Sequence, residues 1–68
     1  MSVTKTIEEL AVVELTRDVE RFPTGSVGTV VSAHPEQDLY TVEITDGNGT
    51  TLDLLPCRRE DLRLANHA

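Results

Sequence analysis

The residues from Leu39 to Thr45 alternate strictly between two faces, and this alternation limits the fold more than any other part of the sequence. Tyr40, Val42 and Ile44 occupy one face of an extended strand, while threonine and glutamate occupy the other. A helix would need apolar residues at three- and four-residue spacing. The segment therefore predicts a β-strand with one buried side and one solvent-facing side.

Four more short runs are rich in β-branched residues or leucine and are bounded by turn residues. They predict strands at residues 11–15, 27–33, 50–56 and 62–64. Gly28, inside the second of these, predicts a bulge or a sharp bend. Thr6 and Glu9 fit a capping box, which predicts one helical turn before the first strand. A short 3₁₀ turn is expected before the last strand.

The loop between the third and fourth strands determines which of their side chains share a face. A three-residue loop at 47–49 sets apolar residues opposite one another: Ile44 and Leu52, Val42 and Leu54, Tyr40 and Pro56. A two-residue loop would instead set apolar residues opposite Asp53 and Thr51. Because a slip of one residue sends half of the apolar side chains to solvent, we predict the three-residue loop.

In this register Glu43 and Asp53 are direct cross-strand neighbours on the solvent face. Like charges in that position destabilise a sheet by about 0.2–1 kcal/mol. Two interpretations remain: both carboxylates are simply hydrated, or the pair awaits a cation on a partner. An Asp53→Lys exchange that stabilised the domain without loss of binding would exclude the second.

The length of the chain limits the size of its core. It has 68 residues, 38% of them hydrophobic, with one phenylalanine, one tyrosine and no tryptophan, so valine, leucine and isoleucine must supply the core. We predict an N-terminal arm at 1–9, one small domain at 10–65 and a frayed tail at 66–68. A single cysteine, Cys57, and the lack of a signal or membrane-spanning stretch predict a cytoplasmic protein.

Charge is distributed unevenly along the chain. No lysine or arginine occurs from Phe22 to Cys57, and most of the net charge of −6 arises there. Five carboxylates lie in this interval and are the predicted partner-binding residues: Glu36, Asp38, Glu43, Asp46 and Asp53. Nucleic-acid binding needs cations at the phosphates, so we expect no nucleic-acid partner. A basic protein is the expected partner.

Several short motifs together resemble a known family of small proteins. The residues that carry the resemblance are Gly25, Gly28, Thr29, Val30, Val31, Tyr40, Val42, Glu43, Asp46, Gly47, Asp61 and Leu62. The chain from Leu10 to Leu64 resembles short bacterial proteins known only as a domain of unknown function, and its glycine-bearing strand is similar to that of KOW-type barrels. The resemblance implies an all-β, five-stranded SH3-like barrel without an established activity. Some relatives stand beside toxin-like proteins, which suggests an antitoxin or immunity role.

Catalytic and metal sites are poorly supported by the residue types. Arg58 and Arg59 would lower the pKa of the Cys57 thiol, but no base accompanies it, so we expect no enzymatic activity. The segment from Asp46 begins like a calcium loop, yet Thr51 stands where that loop needs glycine. The cysteine and histidines are not at metal-ligand spacing, and we predict no metal and no cofactor.

Two functions remain as expectations. The first is a non-catalytic acidic protein-binding module that inhibits a basic partner, as an antitoxin or immunity protein does; its association rate should fall steeply with salt. The alternative is a small accessory subunit that docks on a larger enzyme through apolar contacts, with little salt dependence. Homo-oligomerisation through an unpaired edge strand is compatible with both. The partner's identity does not follow from the sequence.

Overall fold

Five antiparallel strands joined in one sheet make up most of the chain in the computed structural model, which describes residues 6–65. The strands are β1 (Val12–Leu15), β2 (Val27–His34), β3 (Leu39–Thr45), β4 (Thr51–Cys57) and β5 (Leu62–Leu64). Two 3₁₀ turns, Pro35–Gln37 and Arg59–Asp61, precede β3 and β5. The predicted tail at 66–68 and the first five residues of the predicted arm lie outside the described residues.

The strand order in the sheet is β4-β3-β2-β1-β5. The first strand therefore pairs with both the second and the last, which curves the sheet and is the order expected of a small SH3-like barrel. Among the described residues no α-helix occurs. The predicted all-β class, the number of strands and the 3₁₀ turn before the last strand are confirmed.

The core lies on the concave side of the sheet and takes residues from every strand. Its buried hydrophobic members are Ile7, Val13, Leu15, Phe22, Val30, Tyr40, Val42, Ile44, Leu55, Cys57 and Leu62. The predicted inward face of β3 is confirmed, since Tyr40, Val42 and Ile44 are all buried. Aliphatic side chains supply most of this core, as the composition required.

The helical turn predicted at Thr6–Glu9 does not form. The chain makes a single turn there, closed by the Ala11 amide donating to the Glu8 carbonyl at 3.1 Å. Leu10 has a φ of 72°, and its amide donates to the Val30 carbonyl at 2.7 Å. This left-handed residue directs the chain straight into the sheet, so no helical repeat can follow the capping residues.

The bulge predicted at Gly28 lies instead at Val31. Gly28 pairs regularly with Val13 on one side and Ile44 on the other, and the register of β2 against β3 shifts between Val30 and Ser32. Gly28 serves a different need, because β3 passes too close for a side chain at this position. The bulge thus lies at Val31, three residues after the glycine.

The hairpin of β3 and β4 begins in the predicted register and then leaves it. Thr45 pairs with Thr51, as a three-residue loop requires, but the next pair is Ile44 with Asp53. Leu52 is thus an extra, bulged residue, and the remainder of β4 is shifted by one. The predicted pairs of Ile44 with Leu52, Val42 with Leu54 and Tyr40 with Pro56 are wrong: these three β3 residues pair with Asp53, Leu55 and Cys57.

Candidate binding surface

The side of the sheet that faces away from the core carries two rows of side chains that cross the strands. We call it the outer face and define it by seven residues: Val12, Thr29, Glu43 and Leu54 in the first row, and Arg63, Glu14 and Val27 in the second. Residues directly opposite in an antiparallel sheet share a face and contact one another. The rows therefore form one continuous surface from β4 to β5.

Large apolar side chains are exposed on this outer face. Val12, Val27 and Leu54 keep 45%, 49% and 52% of their surface accessible. The bulged residue Leu52, next to Leu54 on the edge strand, is exposed as well. In the first row Thr29 and Glu43 lie between Val12 and Leu54, so exposed apolar and polar side chains are combined on this face.

Glu43 lies in the middle of the first row, between Thr29 and Leu54. The Thr51 hydroxyl donates to its Oε2 at 2.6 Å, which holds the carboxylate in place. Within residues 6–65 no arginine forms an ion pair with it. The other acid of the outer face, Glu14, is neutralised by Arg63, whose Nε donates to its Oε1 at 2.7 Å.

Asp53 does not lie beside Glu43, and the predicted pairing of the two carboxylates is wrong. The bulge at Leu52 sets Leu54 opposite Glu43 and turns Asp53 to the opposite side of the sheet, opposite Ile44. There the Asp53 Oδ2 is 3.9 Å from the Arg21 Nη2. The pair therefore cannot await one cation of a partner, and no like-charge repulsion between them destabilises the sheet.

The other three predicted carboxylates lie in turns. Asp46 accepts hydrogen bonds at Oδ1 from the Asn48 and Thr50 amides, at 2.8 and 3.0 Å, and so closes the hairpin loop. Asp38 accepts one from the Arg59 amide at 2.9 Å. Both sites are at opposite ends of β3, which has seven residues and is roughly 20 Å long.

Glu36, the remaining predicted carboxylate, is exposed in the first 3₁₀ turn, where its Oε2 lies 3.6 Å from His34 Nδ1. The five predicted residues are therefore spread over the first 3₁₀ turn, the hairpin loop and both sides of the sheet. They do not form one acidic surface. Of the five, only Glu43 belongs to the outer face. The exposed apolar residues of this face were not among the predicted partner-binding residues.

Asp61 is a buried carboxylate that joins the second 3₁₀ turn to the start of the β1–β2 loop. Its Oδ2 accepts a hydrogen bond from the Arg58 amide at 2.9 Å, and its carbonyl accepts one from the Thr16 amide at 2.8 Å. Arg17 Nε lies 3.3 Å from Oδ1, close enough for an ion pair but out of line for a hydrogen bond. This arrangement is structural, because it closes β5 onto β1.

Cys57 lies in the core at the end of β4 and is 2% exposed. Burial, and then the carboxylates of Asp61 and Glu20, raise the pKa of its thiol to about 11. The expectation that Arg58 and Arg59 lower this pKa is wrong, since the side chain points into the core and away from solvent. A thiol with this pKa is almost fully protonated at neutral pH and is a poor nucleophile.

The raised pKa makes a pH dependence of stability measurable. The thiol titrates near its ordinary value in the unfolded chain and only at about 11 in the folded one, so the stabilisation is complete below the ordinary value and is lost as pH rises toward the folded pKa. We expect the free energy of unfolding to fall by at most about 3 kcal/mol between pH 9 and 11. Urea denaturation of wild type and Cys57→Ala across this range measures it; an equally steep decline in the variant would contradict the assignment.

Residues 6–65 contain neither a candidate metal site nor a candidate membrane-spanning helix. No group of three or more histidine, cysteine, aspartate or glutamate side chains is arranged to hold a metal ion. No helix in this part of the chain has the length and apolar character needed to cross a membrane.

Comparison with known proteins places the chain in a family. Residues 9–64 match the family described as Domain of unknown function (DUF4926). The chain belongs to this family. The match spans all five strands and both rows of the outer face. No curated protein and no solved structure matches the chain. The bacterial origin and the likeness to KOW-type barrels stay predictions.

Proposed function

We propose that this protein is a non-catalytic protein-binding module that docks through its outer face. The observation that carries the proposal is the first row of that face. In this row exposed Val12 and Leu54 flank Thr29 and Glu43, a carboxylate that pairs with no arginine of residues 6–65. The matching partner surface is apolar and presents a lysine or arginine opposite Glu43. We further propose a cytoplasmic location, because the single cysteine of the chain is held as a free thiol.

The energetics favour apolar contact with one central charge pair. Burial of apolar surface stabilises a complex by about 25 cal/mol per Å², and the exposed valines and leucines of the outer face provide such surface. A carboxylate surrounded by apolar groups loses water when a partner covers it, and a cation on the partner is then needed to offset that cost. Glu43, already fixed by Thr51, loses little further side-chain freedom on binding.

Charge elsewhere on the molecule is expected to act on the rate of encounter. The chain has a net charge of −6, and three of the predicted carboxylates lie in turns rather than on the outer face. Such charges attract a basic partner over a distance and are screened by salt. An inhibitor of a basic partner, of antitoxin or immunity type, uses this attraction; an accessory subunit of a larger enzyme complex depends mainly on the apolar contact.

Variants on and off the outer face test the proposal. Leu54→Thr and Glu43→Gln should each weaken capture of the native partner about tenfold or more, because interface residues at the centre of a contact dominate its affinity. Leu39→Thr and Glu36→Gln make the same chemical changes at exposed positions outside the two rows and should leave capture unchanged. The measurement is affinity capture from the native host, followed by titration of the captured protein.

Two results would contradict the proposal: capture that survives both outer-face variants, or capture that depends on the two control positions. The salt dependence of the association rate then separates the two uses. A steep decrease of the rate with ionic strength supports an inhibitor of a basic partner, and a rate nearly independent of salt supports an accessory subunit.

A further inference from the structure

The strand β4 forms one edge of the sheet, with β3 as its only neighbour in the described structure. Asp53, Leu55 and Cys57 lie opposite Ile44, Val42 and Tyr40 of β3. The backbone amides and carbonyls of these β4 residues face β3 and form the hydrogen bonds between the two strands. The alternate residues Leu54 and Pro56, and the bulged Leu52, direct backbone groups away from the sheet. An edge of this kind is a template for pairing with another chain, and proteins protect it when pairing would be harmful.

Three outward hydrogen-bonding positions of β4 are already engaged or lack a donor. The Arg21 Nη2 donates to the Leu52 carbonyl at 3.1 Å. The Leu54 amide donates to the Asp53 Oδ1 at 2.8 Å. Pro56 has no amide hydrogen to donate. The edge therefore presents no free N–H group at Leu54 or Pro56, and a carbonyl that a new strand would need at Leu52 is occupied.

Arg21 is held at the edge by its own surroundings. Its guanidinium lies 5.0 Å from the centroid of the Phe22 ring and forms the ion pair with Asp53 at 3.9 Å. Phe22 is buried, and its backbone bonds to Val19 in both directions at 2.9 Å. Arg21, in the loop between β1 and β2, is thus held where its guanidinium contacts Leu52 and Asp53 of β4.

The opposite edge of the sheet is closed in a similar way. In β5, the Leu62 carbonyl accepts a hydrogen bond from Arg59 Nη1 at 2.9 Å. The Leu62 amide donates to the Arg59 carbonyl. An arginine from a neighbouring turn or loop therefore occupies outward backbone groups on both edge strands, which is more than one chance contact would produce.

We propose that Arg21, Asp53 and Pro56 form an edge guard that prevents β4 from pairing with β4 of a second copy of this chain. A second copy would need the Leu54 amide and the Leu52 carbonyl, and the guard holds both. The guard also explains how two exposed leucines on an edge strand are tolerated, since exposed hydrophobic edges otherwise aggregate. Self-association through the edge strand is then a property of the unguarded variant.

The test compares two double variants that remove the same side-chain types. Arg21→Ala/Asp53→Ala opens the edge, and Arg58→Ala/Glu36→Ala removes one arginine and one carboxylate from exposed positions outside β4. Analytical ultracentrifugation over a wide concentration range should show self-association at least about tenfold tighter for the first variant. Wild type and control should stay monomeric. A dimeric wild type, or an edge variant that is folded and monomeric, would overturn the guard.

A second measurement needs no double variant. Amide hydrogen exchange of the wild type should show the Leu54 amide protected although it lies on an edge, because Asp53 accepts from it. In Asp53→Ala, measured at low concentration, this protection should be lost while Leu55 remains protected. Exchange of the Leu54 amide at the unprotected rate in the wild type would show that the guard does not form.

Discussion

Leu55→Ala is expected to lower the free energy of unfolding by about 2–5 kcal/mol, the usual cost of truncating a buried leucine. Leu54→Ala, one residue earlier on the same strand, should change it by less than about 0.5 kcal/mol, as exposed substitutions do. Leu55 is fully buried opposite Val42, while Leu54 lies on the outer face opposite Glu43. The two variants delete the same atoms, so the difference between them reports only which leucine faces the core.

Urea denaturation at neutral pH measures both variants. A domain of this size has a total stability of about 3–5 kcal/mol, so Leu55→Ala could unfold completely; Leu55→Val then gives a smaller and measurable loss. Without the bulge at Leu52 the result would be reversed, because Leu54 would face the core and Leu55 the solvent. Equal costs at the two positions, or a greater cost at Leu54, would therefore contradict the observed register.

The sequence carried enough information for the strands but not for their bulges. Alternation identified β3 to the residue, and the glycine-rich turn gave the correct loop, with Thr45 opposite Thr51. A bulge leaves no comparable periodic signal, because one extra residue simply exchanges the two faces of the strand. Leu52 is apolar and would suit the core, yet only the curvature of the sheet determines that it is skipped.

Consecutive apolar pairs were the signal that could have revealed the outer face. Neighbouring residues of a strand point to opposite sides, so one member of each pair must be exposed or bulged. Four strands contain such a pair: Val12 and Val13, Val30 and Val31, Leu39 and Tyr40, and Leu54 and Leu55. In each case one member is buried and the other is exposed. The charge distribution indicates the carboxylates, but it carries no information about these exposed apolar residues.

The assignment of the acidic residues to partner binding stays a prediction, because a carboxylate also has structural uses within a fold. Asp46 and Asp38 accept hydrogen bonds from backbone amides in turns, and Asp53 accepts one on the edge strand. The bonds of Asp46 and Asp53 are short-range, of the kind that makes aspartate frequent in turns, whereas Asp38 accepts from an amide 21 residues away. A sequence shows the charge of these residues but not whether the backbone already engages it, so the cation-free interval overstated the acidic surface.

Gly28→Ala should destabilise the domain by about 1–3 kcal/mol, the range found for overpacked cores. A Cβ at this position would lie 2.6 Å from Val42 Cγ1, 2.7 Å from the Glu43 carbonyl oxygen and 2.9 Å from Ile44 Cδ1. The two methyl groups can rotate away, but the carbonyl belongs to the strand ladder and can move only if β3 moves. The close approach of β2 and β3 thus depends on the absence of a side chain at this one residue.

Gly47→Ala is the matched control, because a Cβ there meets nothing within 4 Å and the residue does not need a positive φ. It should change the free energy of unfolding by no more than about 0.5 kcal/mol. Thermal or urea unfolding of both variants gives the comparison, and the two differ by the same single methyl group from wild type. Should Gly28→Ala prove as stable as Gly47→Ala, β3 would not lie as close to β2 as it does here, and the outer-face row that joins Thr29 to Glu43 would lose its basis.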